Sequence, residues 1–97
     1  MAERRRPRFR YVVFRIESEI SFAESSVAEA LAYAFAGRAP RLVVFHSNFG
    51  IARCTNKTKE ETIRTLNAMR MFGRRQVIVR TLGTSGTIRR AREKYLP

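Results

Sequence analysis

Two apolar runs meet at a tight turn in residues 42–55, which read LVVFHSNFGIARCT. The first run, residues 42–46, is rich in the β-branched and aromatic side chains that favour strands. Residues 47–50 have the polar and glycine composition of a turn, and the apolar run resumes at Ile51. The stretch therefore predicts a β-hairpin.

A helix is predicted on each side of this hairpin. Residues 21–24 have the spacing of a capping box, and apolar side chains at helical intervals follow, which predicts a helix over 21–36. Residues 58–61 repeat the same spacing, and Gly73 suits a helix end, which predicts a second helix over 58–72. A hairpin lying between two helices is typical of a split βαβ arrangement.

Strands are predicted outside both helices, and they complete the arrangement. Residues 10–17 alternate in character but are apolar through the middle of both faces, which indicates a central strand. Residues 77–82 predict a fourth strand, followed by a loop over 83–86 and a short helix that Thr87 caps. The order β-α-β-β-α-β predicts an α+β, ferredoxin-like (RRM-like) sandwich with a four-stranded antiparallel sheet, plus a C-terminal helix. The sheet face opposite the two helices is then free for RNA, a partner or the terminal helix.

The composition predicts a polyanionic partner. The chain has 97 residues and a net charge of +12, with 17 Arg, 3 Lys, 8 Glu and no Asp. This length predicts one domain, residues 9–97, after a flexible basic arm over 1–8 that contains Arg4, Arg5 and Arg6. Because a planar guanidinium suits phosphates and base edges, the excess of Arg favours nucleic acid. Residues 17–37 carry four Glu and no base, so one face or end should be acidic.

Several other classes of function are disfavoured. No apolar run approaches the roughly 20 residues of a membrane span, so a soluble, intracellular protein is expected. A single Cys and a single His cannot make a disulfide or a structural zinc site. We interpret Cys54 as a small core residue and His46 as a hydrogen-bonded strand residue, rather than as a nucleophile and a general base. Metal-dependent nucleases need clustered carboxylates, and this chain has only scattered Glu.

Residues 80–96 carry the strongest indication of a binding site. A strand enters a turn with two glycines and three hydroxyls, and a basic helix follows, where free backbone N–H groups favour a phosphate. The alternative is that the glycines only turn the chain, Thr87 only caps and the basic residues only solubilise. The candidate RNA-binding residues of this segment are Arg80, Thr84, Ser85, Gly86, Thr87, Arg89, Arg90, Arg92 and Lys94.

The same segment resembles a known family. Residues 80–90, RTLGTSGTIRR, closely resemble the C-terminal signature of the small Pop-five protein subunits of archaeal and eukaryotic ribonuclease P. In that family a strand leads into a Leu-Gly-x-Ser-Gly-Thr-Ile-basic turn and helix. Residues 10–14 look like its opening strand, and residues 50–54 look like its Gly-Ile-Ile-Arg-Cys third strand.

This resemblance implies a role in a ribonucleoprotein. It implies a ferredoxin-like protein that pairs with the TIM-barrel-like ribonuclease P subunit, as two copies of each. The pair binds the catalytic domain of the RNase P RNA and promotes cleavage of the 5′ leader from precursor tRNA. The resemblance also implies that the protein binds no cofactor and that the RNA holds the catalytic Mg²⁺. The expected location is the cytoplasm of an archaeal cell, or the nucleolus or nucleus of a eukaryotic one.

Two further sets of residues are open to more than one interpretation. Arg53 and Arg80 interrupt apolar strands and could contact RNA beside Tyr11 or Phe45. Alternatively, they could form a salt bridge with Glu17. Exposed aromatic and Met side chains often mark protein interfaces, although more often they belong to the core. The candidate partner-binding residues are Phe22, Phe49, Met71 and Phe72.

Two rival functions fit the size and charge. A general archaeal chromatin or RNA-binding protein would explain both but not the turn at 85–88. An acylphosphatase-like enzyme shares the topology, but its phosphate loop would fall at residues 17–19, Glu-Ser-Glu, which would repel the substrate.

Overall fold

The computed structural model describes residues 8–96, and its central feature is a four-stranded antiparallel sheet. The strands lie in the order β2-β3-β1-β6, and β4 and β5 form a separate two-stranded hairpin. This order confirms the predicted ferredoxin-like fold. The elements are β1 (Phe9–Glu17), α1 (Glu24–Ala34), β2 (Arg41–His46), β3 (Phe49–Thr55), α2 (Lys59–Ala68), β4 (Met71–Phe72), β5 (Arg75–Gln76), β6 (Ile78–Ser85) and α3 (Ile88–Tyr95).

Both faces of β1 are buried, as its apolar pattern predicted. Val12 and Phe14 face α1 and α2, where they pack in one cluster with Leu31 and Leu66. Val13, on the opposite face, packs with Ile51 and with Ala91 of α3. The sequence left this second face open to RNA, a partner or the terminal helix, and the structure shows that the terminal helix covers its middle.

The turn between β2 and β3 ties two parts of the chain together. Ser47 and Asn48 have φ values of 50° and 65°, the left-handed conformation that a two-residue hairpin turn requires. The Asn48 side chain, 9% exposed, donates to the carbonyl of Ile20 at 2.8 Å and accepts from the N–H of Phe22 at 3.0 Å. The backbone carbonyl of Asn48 accepts from the N–H of Ile16 at 2.8 Å. Asn48 thus fixes the path of the chain from β1 into α1.

Both predicted capping boxes are wrong. The helix predicted over 21–36 begins only at Glu24, after an extended Ala23 (φ −76°, ψ 149°) and without a side-chain cap, because the N–H of Phe22 bonds to Asn48 outside the helix. Before α2, the Thr58 hydroxyl accepts from the N–H of Thr55 at 3.1 Å instead of from a helical N–H. α1 thus begins three residues later than predicted, and α2 begins one residue later.

The predicted helix over 58–72 also ends early, at Ala68. Residues 70–77 turn back as the β4–β5 hairpin, which the N–H of Val77 closes by donating to the carbonyl of Arg70 at 2.8 Å. Phe72 is 5% exposed and packs edge-on against Phe22, with ring centroids 5.2 Å apart. Burying the Phe72 ring is therefore favoured over extending the helix. Gly73, at φ 62°, forms the turn of the β4–β5 hairpin instead of ending the helix.

The predicted loop at 83–86 is wrong, because β6 continues as far as Ser85. Thr84 and Ser85 pair with β1, and the register shifts at Leu82, which is the extra residue of a β-bulge. Gly83 lies opposite Val13, and the Tyr95 ring of α3 packs directly on it, leaving no room for a Cβ atom.

The two outer edges of the sheet are both modified. At β6, the Asn67 side chain accepts from the N–H of Thr81 at 3.1 Å and donates to its hydroxyl at 3.2 Å. At β2, the register with β3 shifts between Leu42 and Val44. The edge strand β6 thus has one backbone N–H bonded to a side chain, and the edge strand β2 has an irregular register.

Candidate nucleic-acid interface

The end of β6 and the start of α3 form the turn that the sequence singled out. Thr87 is extended (φ −140°, ψ 152°), and its hydroxyl accepts from the N–H of Arg90 at 3.1 Å, which confirms the predicted N-cap. Ala91 and Tyr95 hold the inner side of α3 on the sheet. The outer side, which carries most of the basic residues, faces solvent.

A depression of about 490 Å³ lies where β1, β6 and α3 meet. Its basic groups come from two distant parts of the chain: Arg10 from β1, and Arg90 and Lys94 from α3. Its lining residues are Arg10, Thr84, Ser85, Gly86, Arg90, Glu93 and Lys94. Three cations against one carboxylate, beside two hydroxyls, make an electropositive site suited to a phosphate, and we call it the α3 depression.

Arg10 is a site residue that the sequence analysis missed. A Cβ atom added to Gly86 would lie 3.2 Å from Nη1 of Arg10, so the absence of a side chain at Gly86 leaves space for the guanidinium. The Nε of Arg10 donates to Oδ1 of Asn56 at 3.3 Å. Only the pairing of β1 with β6 brings Arg10 to this turn, and no local motif signals it.

The remaining predicted residues of α3 do not line the depression. Nε of Arg89 lies 3.4 Å from Oε2 of Glu93, an exposed i,i+4 ion pair of the kind that contributes little to stability. Arg92 is exposed, and Thr87 serves as the cap. The structure therefore brings together Thr84, Ser85, Gly86, Arg90 and Lys94 from the predicted set. Arg4, Arg5 and Arg6 lie outside the described residues.

Arg53 lies close to an exposed aromatic ring. It stands in register with Tyr11 on one side and Arg41 on the other, and residues in register share a sheet face. Its guanidinium carbon is 4.4 Å from the centroid of the Phe9 ring. Tyr11 is near it as predicted, whereas Phe45 packs against the core beneath α1 and α2, so Phe45 was the wrong aromatic neighbour.

Arg80 lies away from the depression, near the other end of β6. Its Nε donates to Oε2 of Glu17 at 2.5 Å, so of the two interpretations left open, the structure shows the ion pair. It is in register with Arg15, whose guanidinium carbon is 6.0 Å from the Phe49 ring centroid. Ser85 lies five positions further along the chain, about 17 Å away along a strand.

The predicted partner-binding residues fall in two places. Phe22, Met71 and Phe72 line a groove of about 790 Å³ between α1 and the β4–β5 hairpin, together with Tyr33, which is 90% exposed. Phe72 belongs mainly to the core, and Met71 is 46% exposed. Phe49 is outside this groove, beside Arg15.

Cys54 is a free cysteine and is buried. Burial raises the pKa of the Cys54 thiol, and hydrogen bonds with Thr62 and Thr58 oppose this more weakly. In the described part of the chain, no three His, Cys or Glu side chains come together as metal ligands. No helix in these residues is long and apolar enough to cross a membrane.

Comparison with known proteins agrees with the signature and the fold. The chain is 37% identical over 99 residues to "Ribonuclease P protein component 2" of Archaeoglobus fulgidus, covering 94% of this chain and 91% of that one. It is 33% identical over 102 residues to the protein of the same name from Pyrococcus horikoshii, covering 94% and 85%.

Structural similarity extends to a chain in a cryo-EM structure of yeast ribonuclease MRP. The TM-score is 0.70 at 11% identity, and the match covers 88% of this chain and 79% of that one. At that identity the likeness concerns the fold alone. A family model described as the Rpp14/Pop5 family matches residues 10–96. The chain therefore belongs to the Rpp14/Pop5 family, a family of ribonuclease P protein components.

Proposed function

We propose that this chain binds the catalytic domain of the RNase P RNA and, with a partner subunit, promotes removal of 5′ leaders from precursor tRNA. The observation that carries the proposal is the α3 depression, which the family signature builds together with Arg10. Family membership supports a place in a ribonucleoprotein, and the α3 depression offers a contact for the phosphate backbone of its RNA.

The chemistry of the depression suits positioning of RNA rather than cleavage. Arg90 and Lys94 offer charged donors to phosphate oxygens, and the Thr84 and Ser85 hydroxyls offer neutral ones. Such contacts fix the place and orientation of an RNA without reading its sequence. In this proposal the RNA holds the catalytic Mg²⁺, and the protein lowers the repulsion between phosphates that must approach one another.

Removing the two α3 cations of the depression should weaken RNA binding. In Arg90→Ala/Lys94→Ala we expect the dissociation constant for the transcribed RNase P RNA to rise at least about tenfold, because two charge-assisted contacts are lost. If wild type engages about six phosphates, its log–log salt slope should be about −4, and the variant's should be smaller in magnitude by about 1.4. Filter binding over a salt titration measures both.

Arg89→Ala/Arg92→Ala is the matched control, because it removes two charges from the same helix outside the depression. We expect it to lose less affinity than Arg90→Ala/Lys94→Ala. An equal loss in both would contradict the depression as the centre of contact. Equal affinity of wild type for this RNA and for unrelated duplex DNA would instead favour a general chromatin or RNA-binding protein.

We further propose that the groove between α1 and the β4–β5 hairpin docks the TIM-barrel-like subunit, with two copies of each protein in the assembly. Tyr33 and Met71 expose apolar surface there, and α1 carries the carboxylates of Glu24 and Glu29 and no basic residue. RNA would be repelled from this helix, whereas a protein would not.

Shortening the exposed side chains of the groove should therefore separate partner binding from RNA binding. In Tyr33→Ala/Met71→Ala we expect affinity for the co-expressed TIM-barrel-like subunit to fall at least about tenfold, since aromatic anchors carry much of an interface's energy. RNA affinity should be unchanged. Calorimetry of the protein pair measures the first, with Phe49→Ala as the aromatic control outside the groove. Loss of partner affinity in Phe49→Ala alone would move the interface to the other sheet face.

A further inference from the structure

A second cavity, of about 590 Å³, lies near the α3 depression and has different chemistry. It opens between the residues that join α1 to β2, the end of β3 and the start of α2. Arg38 lines it from the first of these segments, Arg41 from the start of β2, and Arg53 from β3. Glu61 of α2 is the one carboxylate among its lining residues, so the cavity favours an anion.

The cavity also contains an exposed aromatic ring. Phe9 is 42% exposed and belongs to neither core cluster, so its apolar ring is open to solvent. Arg53 lies over one side of this ring, 4.4 Å from its centroid. A phenyl ring flanked by a guanidinium is the kind of surface on which RNA bases stack.

The inner end of the cavity is polar but uncharged. Cys54 and Thr62 are buried there, and burial raises the pKa of the thiol, so it stays protonated at neutral pH. Nearer to solvent, the hydroxyls of Thr55 and Thr58 lie 3.0 Å apart and hydrogen-bond to each other. Such surroundings accept a neutral ring with polar edges more readily than a second anion.

The two sites are neighbours in the structure. Phe9 of the cavity precedes Arg10 of the depression on β1, and Thr55 of the cavity precedes Asn56. The Arg10–Asn56 hydrogen bond, 3.3 Å long, joins the two regions. An RNA strand that passes this end of β1 could therefore contact both sites.

We propose that this cavity takes one unstacked nucleotide of the bound RNA, with its base on Phe9 and its phosphate among Arg38, Arg41 and Arg53. The inference rests on the proposed RNA-binding function and adds a base contact to it. The α3 depression, which has no aromatic lining residue among those described, then holds backbone alone. Recognition of RNA commonly uses such unstacked bases outside double helices.

Replacing Phe9 separates base stacking from phosphate contact. In Phe9→Ala we expect affinity for the transcribed RNase P RNA to fall about tenfold with an unchanged salt slope, since stacking involves no counterion. Phe9→Tyr should keep wild-type affinity. Arg38→Ala/Arg41→Ala should reduce the magnitude of the slope by up to about 1.4. With 4-thiouridine in the RNA, photo-cross-linking of wild type should yield a peptide that contains Phe9.

The control is Arg64→Ala, which removes an exposed charge from α2 at a residue that lines neither site. Thermal melts should show that Phe9→Ala remains folded, since its ring is outside both core clusters. Affinity of Phe9→Ala within twofold of wild type, in a wild type that binds this RNA, would overturn the cavity proposal alone. Failure of wild type to bind the RNA would overturn the proposed function instead.

Discussion

Replacing Phe14 with alanine is expected to lower the free energy of unfolding by about 3–5 kcal/mol. The ring is fully buried in β1 between the sheet and its two helices. The loss combines the transfer energy of the ring with the cost of the cavity left behind. Because a domain of this size is stable by only about 5–15 kcal/mol, this is a large part of the total. At about 4–8 °C per kcal/mol, the melting temperature should fall by at least about 12 °C.

Gly50 supplies a second way to disturb the same contact. It lies opposite Phe14 in the sheet, and a Cβ atom there would collide with the ring. We expect Gly50→Ala to be destabilising alone and less so in the background of Phe14→Leu, because the two sites share one space. Urea denaturation of the single and double variants gives the coupling energy. Strict additivity would contradict the proposed packing.

Asn48→Ala is expected to have the second largest effect, a loss of about 3–4 kcal/mol in the free energy of unfolding. It removes both side-chain hydrogen bonds, with Ile20 and Phe22, each worth about 1 kcal/mol. It also places alanine at φ 65°, which costs roughly 1–2 kcal/mol. Urea denaturation at neutral pH measures the loss.

Asn48→Gly separates these two contributions. Glycine accepts the positive φ without strain, so this variant should lose only the hydrogen-bond part. We expect its stability to lie between those of wild type and Asn48→Ala. Equal losses in the two variants would mean that backbone strain has no part in the effect, whereas a stability equal to wild type would remove the structural role of the side chain.

The order of elements could be predicted because each has a local pattern. Alternating apolar residues in β1 and helical spacing in α1 and α2 are properties of neighbouring residues. The errors arise where a distant residue competes with that pattern. Asn48 holds Phe22 out of the helix, and burial of Phe72 bends the chain into the β4–β5 hairpin. Neither contact is visible in a local window of sequence.

The candidate site was predictable for a similar reason, and only in part. Thr84, Ser85, Gly86 and Arg90 lie within seven residues, so a motif can contain them. Arg10 reaches the same depression from the opposite end of the chain through strand pairing. A single sequence carries no signal for that register, because alternation identifies a strand's faces but not its neighbours.

The treatment of the two sheet edges bears on how this protein behaves at high concentration. An open edge invites another chain to add a strand, which is a route to aggregation. Here the N–H of Thr81 on the edge strand β6 already donates to the Asn67 side chain. On the other edge strand, β2, the register shift between Leu42 and Val44 makes the backbone irregular. The chain can therefore accumulate with less risk of polymerising through its backbone.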